Sequence, residues 1–343
     1  MKLKSMNAID LFCGCGGATT GLKMAGFNVL GAVDIDSLAI ETYTINHPEV
    51  SVWNKDITSL SPFILKKELN LKKGELDLLT GCPPCQGFSV IRTLNGSKNI
   101  SDSRNGLLFN FLYYVELLKP KAVLFENVVG IKNDEVFDLF KIMLGNLGYF
   151  YKTDILDAND FGVPQRRKRL ILIGSTKNDV TFAKRDRINI NVGDAIKALL
   201  PPIKSKDILH NYKVKRSEYV KNLINMIPKN GGSRKDLNSR YQLNCHRKCN
   251  GFKDVYGRMS YNKPAPTITS GCTNPSKGRF LHPTQNRAIT LREAAILQSF
   301  PKNYYFSLRK GRQGVAEMIG NALPPVFIMK LAKSIKRSLH NEG

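Results

Sequence analysis

Short apolar runs alternate with longer amphipathic stretches in the first half of the chain. Each run is followed by glycine or charged residues and then by a stretch with helical period, such as Ser37–Asn46 or residues 107–118. Strand followed by helix, repeated, predicts an α/β fold with a doubly wound, mostly parallel sheet and helices on both faces. The predicted strands are residues 8–12, 29–33, 76–80, 122–125 and 169–174.

This alternation ends after the last of those runs. From about residue 190 to 285 the chain is rich in Lys, Asn, Gly and Ser without a sustained period, which predicts a smaller, irregular second domain. Order returns with helices predicted at 291–298 and 325–339, and the second of these is apolar enough to pack on a core. We therefore expect a first domain over 1–185, a second over 186–290, and a hinge over 291–343 that returns to the first.

The charge of the chain is concentrated in one region. The 343 residues carry a net charge of +24 and are 42% hydrophobic, enough for a sizeable core. Between Lys184 and Thr290 there are 22 Lys and Arg against 6 Asp and Glu, a net +16, which leaves +8 for the other 236 residues. A regional excess of this size predicts a polyanionic partner held by the second domain.

The cysteines and the lengths of the apolar runs indicate where in the cell the protein is located. The seven cysteines are scattered along a long chain, which predicts free thiols in a reducing cytoplasm. The apolar runs are shorter than the ~18 residues of a membrane span, and the N-terminal one is interrupted by Asp10, unlike a secretory signal. We expect a cytoplasmic protein that does not enter a membrane.

A glycine-rich turn, DLFCGCGG at residues 10–17, follows the first predicted strand, where open α/β sheets bind ligands. Thr19 stands where a dinucleotide fingerprint would need Gly, which disfavours a pyrophosphate cofactor. Asp34 follows the second run at a distance suited to ribose hydroxyls, and Asp56, between the second and third runs, can accept from an adenine amino group. The pattern favours a site that binds a nucleoside and does not bind a phosphate group. The alternatives are a tight turn that binds no ligand and aspartates that are merely solvated in loops.

The stretch LTGCPPCQGFS at residues 79–89 contains a C-x-x-C spacing. By itself, this spacing allows a redox dithiol, half of a zinc site, or one reactive thiolate beside a bystander. Cys85 follows a predicted strand, as an accessible nucleophile would. A zinc site needs a second ligand pair, and Cys245 with Cys249 lacks the usual spacing. We expect no metal.

The chain resembles a cytosine-5 DNA methyltransferase of the bacterial restriction–modification type, nearly end to end. Each motif is short, but six occur in the family's order and at its intervals. They are DLFCGCGG (10–17), PPCQGFS (83–89), ENV (126–128), QRRKR (165–169), the REA…FP segment (292–301) and GNA (320–322).

The resemblance implies a specific chemistry. Cytosine C5 is too weak a nucleophile to take a methyl group directly, so Cys85 would first add to C6. Glu126 would share a proton with N3 and accept from N4, Arg169 would stabilise charge at O2, and Arg167 would brace the site. The methyl group would move from S-adenosylmethionine to C5, leaving S-adenosylhomocysteine. Since C6 is buried in a stacked duplex, the target base would be flipped out.

The resemblance also implies a Rossmann-like fold that binds S-adenosylmethionine, with 186–290 as the target-recognition domain. Cys13, Cys15 and Ala322 depart mildly from the family pattern. The implied cofactor contacts are Asp10, Phe12, Gly14, Gly16, Gly17, Asp34, Ile35, Asp56, Ile57, Pro84, Leu107, Asn321 and Ala322. The implied DNA contacts are Ser89, Arg104, Gln165, Arg258, Thr267 and Thr269, with Arg92 as a weaker candidate.

The expected partner is double-stranded DNA, bound by a monomer in the cytoplasm of a prokaryotic or phage-infected cell and associated with the nucleoid. A cognate restriction endonuclease would act separately. Two alternatives stay open: methylation of transfer RNA by a similar fold, and a catalytically silent DNA-binding homologue. The long basic region favours duplex DNA, and the presence of both Cys85 and Glu126 argues against a silent homologue.

Overall fold

The computed structural model describes residues 5–72, 74–84, 106–177, 181–186, 190–242 and 254–340. Contacts divide the chain into two compact units, each built from more than one segment. The first unit comprises Met1–Phe161, Lys168–Arg185 and Leu323–Gly343. The second unit comprises Gly162–Arg167 and Asp186–Ala322.

These boundaries differ from the expected ones at two places. Residues 162–167 belong to the second unit although they lie inside the predicted first domain, and residues 291–322 stay with the second unit. Within the predicted hinge 291–343, only Leu323–Gly343 returns to the first unit. The reason is that the two helices of 291–322 pack within the second unit, where the helix after residue 291 is almost entirely buried.

Within the described residues, seven strands form one sheet in the order β3-β2-β1-β4-β5-β7-β6. The first five strands are parallel, whereas β7 runs antiparallel to both β5 and β6. The mostly parallel, doubly wound sheet is thus confirmed. The strands are β1 (Met6–Leu11), β2 (Phe27–Asp34), β3 (Ser51–Asn54), β4 (Leu78–Gly81), β5 (Ala122–Asn127), β6 (Phe150–Asp157) and β7 (Lys168–Ser175).

The helices of the first unit cover the sheet and bury its aliphatic and aromatic residues. The rings of Phe111, Phe125 and Phe140 pack against one another in this core in edge-on and tilted orientations. Asp36 and Asp134 accept from backbone N–H groups in the first turns of α2 and α5, which fixes where these helices begin. The α-helices are α1 (Gly17–Met24), α2 (Ser37–Asn46), α3 (Pro62–Glu68), α4 (Gly106–Leu118), α5 (Glu135–Asn146), α6 (Val192–Ile196), α7 (Ile208–Asn211), α8 (Glu218–Met226), α9 (Leu291–Leu297), α10 (Gly311–Asn321) and α11 (Pro325–His340).

One stretch of the described residues, Gly311–His340, is long and apolar enough to cross a membrane by length and composition. It consists of the two helices α10 and α11, and 67% of its apolar window is buried within the protein. In the first unit α11 packs along α1 so closely that a Cβ on Gly21 would lie 2.4 Å from the Pro325 carbonyl oxygen. The helix α11 is therefore a core helix, as its amphipathic sequence predicts.

The second unit is irregular, as expected from its lack of a sustained period. Its described residues form short helices, 3₁₀ turns and isolated bridges such as Arg258 with Leu281. A small apolar cluster of Ile224, Ile227 and Leu281 lies at its centre. The 3₁₀ turns of this unit are Pro202–Lys204, Arg234–Asp236, Ser239–Tyr241 and Pro275–Lys277.

Candidate active site

Glu126 and Arg169 form a buried ion pair at one edge of the sheet. Glu126 is the penultimate residue of β5, and Arg169 is the second residue of β7. Because β7 is antiparallel to β5, its first residues lie beside the last residues of β5. Arg169 Nε lies 2.8 Å from Glu126 Oε1, with the side chains 16% and 10% exposed. The structure thus brings a carboxylate and a guanidinium together where the parallel strands end.

Asn127 ties the segment before Cys85 to the same edge. Its side-chain Nδ2 donates to the Pro83 carbonyl oxygen at 3.3 Å, and its Oδ1 accepts from Val128 N at 2.7 Å. Asn127 was not among the predicted site residues, although it stands in the ENV motif. Cys85, Ser89, Arg92 and Arg104 lie outside the described residues.

Cys82 lies beside the Glu126 carboxylate. Burial, followed by the charge of Glu126, raises the pKa of the Cys82 thiol well above its usual range. The thiol also hydrogen-bonds to Glu126. A thiol held in its protonated form is a poor nucleophile and a poor metal ligand. This environment supports the interpretation of Cys82 as a bystander.

Asp10 carries an oxygen with no partner. The residue is 1% exposed, and its Oδ2 accepts from Thr19 Oγ1 at 2.7 Å, which lies 2.8 Å from the Tyr43 hydroxyl. Its Oδ1 is buried without a hydrogen bond from any described residue, as is the hydroxyl of Thr80, which is paired with Asp10 across β1 and β4. Burial raises the pKa of Asp10 to about 7. Unsatisfied buried groups of this kind are uncommon and indicate a place for a ligand.

The glycine-rich turn after β1 has a constrained backbone. Phe12 has a φ of 59°, which is unfavourable for a residue with a side chain by about 1–3 kcal/mol. Gly14 and Gly16 also have positive φ values, 52° and 92°. Gly14 N donates to Asp34 Oδ2 at 2.7 Å, and Thr20 Oγ1 donates to the Gly16 carbonyl at 2.7 Å. The turn is therefore held from two sides.

Asp34 and Asp56 have different environments at this edge. Asp34 also accepts from Asp36 N at 2.8 Å, and burial raises its pKa. Asp56 is exposed and accepts from the backbone N–H and the hydroxyl of Thr58 at 2.9 and 2.8 Å. Ile35, directly after β2, is 67% exposed, an unusual position for a large apolar side chain next to a strand end.

The other predicted cofactor residues are distributed over both units. In the first unit Gly17 begins α1, Ile57 is buried, Pro84 is exposed, and Leu107 is half-buried at the start of α4. Asn321 ends α10 in the second unit, and Ala322 follows it.

A comparison with known protein families covers nearly the whole chain. The family model for C-5 cytosine-specific DNA methylases matches residues 6–337.

The chain belongs to the C-5 cytosine-specific DNA methylase family.

Related proteins of full length place this methylase among DNA cytosine-5 methyltransferases. It is 34% identical to the Type II methyltransferase M1.HphI of Haemophilus parahaemolyticus over 98% of this chain and 88% of that protein. It is also 34% identical to the Type II methylase M.HgiDII of Herpetosiphon aurantiacus, over 96% and 95% of the two chains.

Solved structures share the fold. A candidate DNA modification methyltransferase encoded within an Escherichia coli prophage superposes with a TM-score of 0.77 at 25% identity, over 98% of this chain and 100% of that chain. Spodoptera frugiperda DNMT2 superposes with a TM-score of 0.61 at 21% identity, over 97% and 100% of the two chains. The second match shows the fold alone.

Two residues that were predicted to contact DNA are instead interior residues of the second unit of the methylase. The Arg258 side chain is fully buried and donates to the carbonyl oxygens of Ile227, Ile224, His282 and Gln285, and to Asn286 Oδ1. A guanidinium without exposed surface, with its donors used internally, cannot also contact a duplex in this conformation. The prediction for Arg258 is therefore corrected to a structural role.

The same correction applies to Gln165. Its side chain is fully buried, hydrogen-bonds to Gln298 and Leu297 O, and accepts from Ile268 N at 2.7 Å. A side chain with both its amide nitrogen and its carbonyl engaged inside the unit has no group left for DNA. Gln165 therefore fixes the short segment 162–167 within the second unit.

Arg167 connects two backbone segments of the second unit through its guanidinium group. It is 4% exposed, and its Nη1 and Nη2 donate to Ile268 O and Gly320 O, both at 3.1 Å. A Cβ on Gly320 would lie 2.2 Å from Ser270 N, so only glycine allows the two segments to approach this closely. The QRRKR and GNA motifs thus meet the 267–270 segment within one unit.

The other two described residues that were predicted to contact DNA are accessible. Thr267 is half-buried and its hydroxyl donates to Arg166 O at 2.8 Å, while Thr269 is exposed. Both stay predictions as DNA contacts.

Proposed function

We propose that this methylase methylates C5 of a specific cytosine in double-stranded DNA, after flipping the base out of the duplex, with Cys85 as the nucleophile. The observation that carries the proposal is the Glu126–Arg169 ion pair at 2.8 Å, at the same sheet edge as the unpaired oxygen of Asp10. This arrangement supplies a proton-sharing carboxyl, a fixed cation and an adjacent ligand site.

The catalytic residues divide the reaction into steps. The Cys85 thiolate forms a bond to C6, and the electron pair of the C5–C6 double bond becomes available at C5. Glu126 shares a proton with N3 and accepts from the exocyclic amino group, while Arg169 stabilises charge at O2. Once C5 carries the methyl group, a base takes the C5 proton, the C5–H electron pair restores the C5–C6 double bond, and the C6–S bond breaks, which releases 5-methylcytosine and the Cys85 thiolate.

The first unit fits S-adenosylmethionine as the methyl donor. When bound, this cofactor supplies an electrophilic methyl group on a sulfonium. The unpaired Asp10 Oδ1 would accept from the ammonium group, Asp34 from the ribose hydroxyls, and the exposed Ile35 would cover the adenine ring. Phe12, Gly14 and Gly16 form a backbone turn that admits the ligand closely because these three alternate positions adopt positive φ values.

The basic second unit supports duplex DNA as the substrate. Its sequence carries most of the net charge, and Arg and Lys side chains position proteins on phosphates. The two similar proteins M1.HphI and M.HgiDII are a Type II methyltransferase and a Type II methylase by name. We infer a role in protecting DNA within a restriction–modification system, with a nuclease that acts separately, and a monomeric enzyme of the cytoplasm.

Labelled methyl transfer from S-adenosylmethionine tests the proposal. Wild-type protein is expected to label duplex DNA but not transfer RNA, and bisulfite sequencing of DNA from expressing cells should then identify one recognition sequence. Cys85→Ser should abolish transfer while leaving DNA binding intact. Near-normal turnover by Cys85→Ser would overturn the covalent mechanism, and labelling of transfer RNA in place of duplex DNA would overturn the substrate.

A further inference from the structure

The second unit contains a cavity that the proposed reaction does not use. Its volume is about 320 Å³, at the lower end of the range of small-molecule sites. Part of the wall is apolar, with Leu209, Val214, Ile224 and Ile289. The whole lining belongs to the second unit.

The charged side chains of this cavity are all cationic. Arg216, Lys221, Arg287 and Arg312 line it, and the described residues of the lining include no Asp or Glu. Two of the four cations have carboxylate partners outside the cavity. Arg287 binds Glu293 at 2.6 and 2.7 Å, and Lys221 binds Glu218 at 2.6 Å.

Arg216 and Arg312 have no carboxylate partner among the described residues. Arg312 Nη1 is buried and makes no hydrogen bond to any of them. Arg216 makes one long hydrogen bond, from Nη2 to Thr273 O at 3.4 Å. Burial, followed by the charge of Arg312, lowers the pKa of Arg216. The two guanidinium groups therefore repel each other in a partly desolvated place.

The residues of the second unit that the structure does not describe, 187–189 and 243–253, add no acidic residue. Residues 243–253 read LNCHRKCNGFK and contain no Asp or Glu. Two like charges that face a cavity without a counter-ion destabilise a fold unless an anion binds between them. Arg258, in the same unit, shows the opposite arrangement, with its donors satisfied by protein oxygens.

We propose that the cavity between Arg216 and Arg312 binds a phosphoryl group. The planar fork of donors on each guanidinium matches the oxygens of a phosphate, and two forks can hold one group from two sides. The apolar wall would accept the carbon atoms attached to that group. The phosphoryl group could come from free phosphate or from a backbone phosphate of bound DNA. In the second case the inference rests on the proposed function.

Thermal unfolding without DNA tests the free source. If free phosphate binds, inorganic phosphate will raise the Tm of the wild-type protein above its value in chloride at equal ionic strength. Arg312→Gln and Arg216→Gln will lose that increase, whereas Lys215→Gln will keep it. Lys215 is the matched control because it is exposed, does not line the cavity and changes the net charge by the same amount.

Duplex binding as a function of salt tests the DNA source. If a backbone phosphate binds, Arg312→Gln will weaken binding on the order of tenfold and will reduce the slope of log K against log salt by about one. Lys215→Gln will change the slope less. These measurements need no methyl transfer, so an inactive but DNA-binding protein would reject the proposed chemistry and leave this inference standing.

The Tm of Arg312→Gln in chloride distinguishes a role of Arg312 in binding from a role in holding the fold. Arg312→Gln removes the repulsion with Arg216, so its Tm is expected to equal or exceed the wild-type value. Arg312→Lys, which keeps the charge but lacks the fork, should bind less tightly than the wild type. The proposal is overturned if wild-type protein gains no phosphate stabilisation and the salt slopes of Arg312→Gln and Lys215→Gln coincide. It is also overturned if Arg312→Gln is markedly less stable in chloride.

Discussion

The sheet edge of the first unit proposed as the active site and the interior of the second unit both bury charged groups, but the two regions differ in how the hydrogen bonds of those groups are satisfied. Arg258 in the second unit gives its donors to four carbonyl oxygens and one amide oxygen. Asp10 in the first unit keeps one carboxylate oxygen without a partner among the described residues. The difference teaches that completeness of hydrogen bonding, more than residue type, separates a charged group that serves the fold alone from one that keeps an atom able to accept a further hydrogen bond.

Glu126→Gln tests the catalytic side of this contrast and should have the largest effect. Loss of the proton-sharing carboxyl is expected to reduce methyl transfer by roughly 10²–10⁴-fold, because general acid–base catalysis contributes about that much. The Tm should change little. Labelled methyl transfer measures the effect, and Glu116→Gln, an exposed position on α4, is the control. Unchanged turnover with a large fall in Tm would assign Glu126 to the scaffold instead.

Arg258→Ala tests the structural side. It leaves several buried carbonyl oxygens without donors, so the free energy of unfolding should fall by about 3 kcal/mol or more. Denaturant unfolding measures this change. Arg166→Ala is the control because its side chain is exposed and its backbone hydrogen bond to Ala265 remains. Wild-type stability combined with lost sequence specificity would restore the role of Arg258 in DNA recognition.

Asp10 should make the free energy of unfolding depend on pH. Its pKa is about 7 in the folded protein and near 3.8 when exposed, so the folded state retains a proton that the unfolded state releases. Stability should therefore fall as pH rises from about 4 to 7, and Asp10→Asn should remove on the order of 2 kcal/mol of the change between pH 5 and 7. Unfolding at both pH values measures this.

The same group should couple cofactor binding to pH. A ligand ammonium favours the ionised carboxylate, so affinity for S-adenosylmethionine should increase as pH rises toward 7 and level off above it. Calorimetric titration across this range measures the trend. Asp154→Asn, at an exposed position on β6, should follow the wild type in both experiments. A wild-type pH profile in Asp10→Asn would show that the unpaired oxygen has no part in binding.

Cys82→Ala should have the smallest effect. The thiol is a weak hydrogen-bond donor, so its removal from the Glu126 carboxylate should change turnover by no more than about threefold. Steady-state methyl transfer provides the measurement. A loss as deep as that of Cys85→Ser would contradict the bystander role and restore the dithiol interpretation.

The five inner strands of the sheet were predictable because central strands are buried and appear as apolar runs, whereas the outer strands β3 and β6 were not predicted. All six residues of β5 are buried, and the run at 122–125 predicted this strand within two residues. The resemblance placed Glu126 and Arg169 in one site. The antiparallel direction of β7, which sets the two side by side, depends on pairing between distant segments and has no local sequence signal.

The roles of Gln165 and Arg258 were not predictable for a different reason. Arg and Gln in a Lys- and Arg-rich region are usually exposed, so composition favours a DNA contact. Their burial depends on carbonyl oxygens and amides contributed by segments up to 133 residues away in the chain. Asn127 and Thr19 stood inside or beside recognised motifs, but only the folded backbone reveals what they hold.

The chain crosses from one unit to the other four times, and this connectivity matters for protein engineering. An exchange of the second unit between relatives could be designed as a single insert over Asp186–Ala322. Such an insert would pack against residues 162–167 of the recipient protein, which belong to the same unit but come from a different sequence. Gln165 and Arg167 fill the interior of the exchanged region through Ile268, Gln298 and Gly320. A working chimera should therefore carry its own hexapeptide 162–167 together with the insert, as two grafts designed as one.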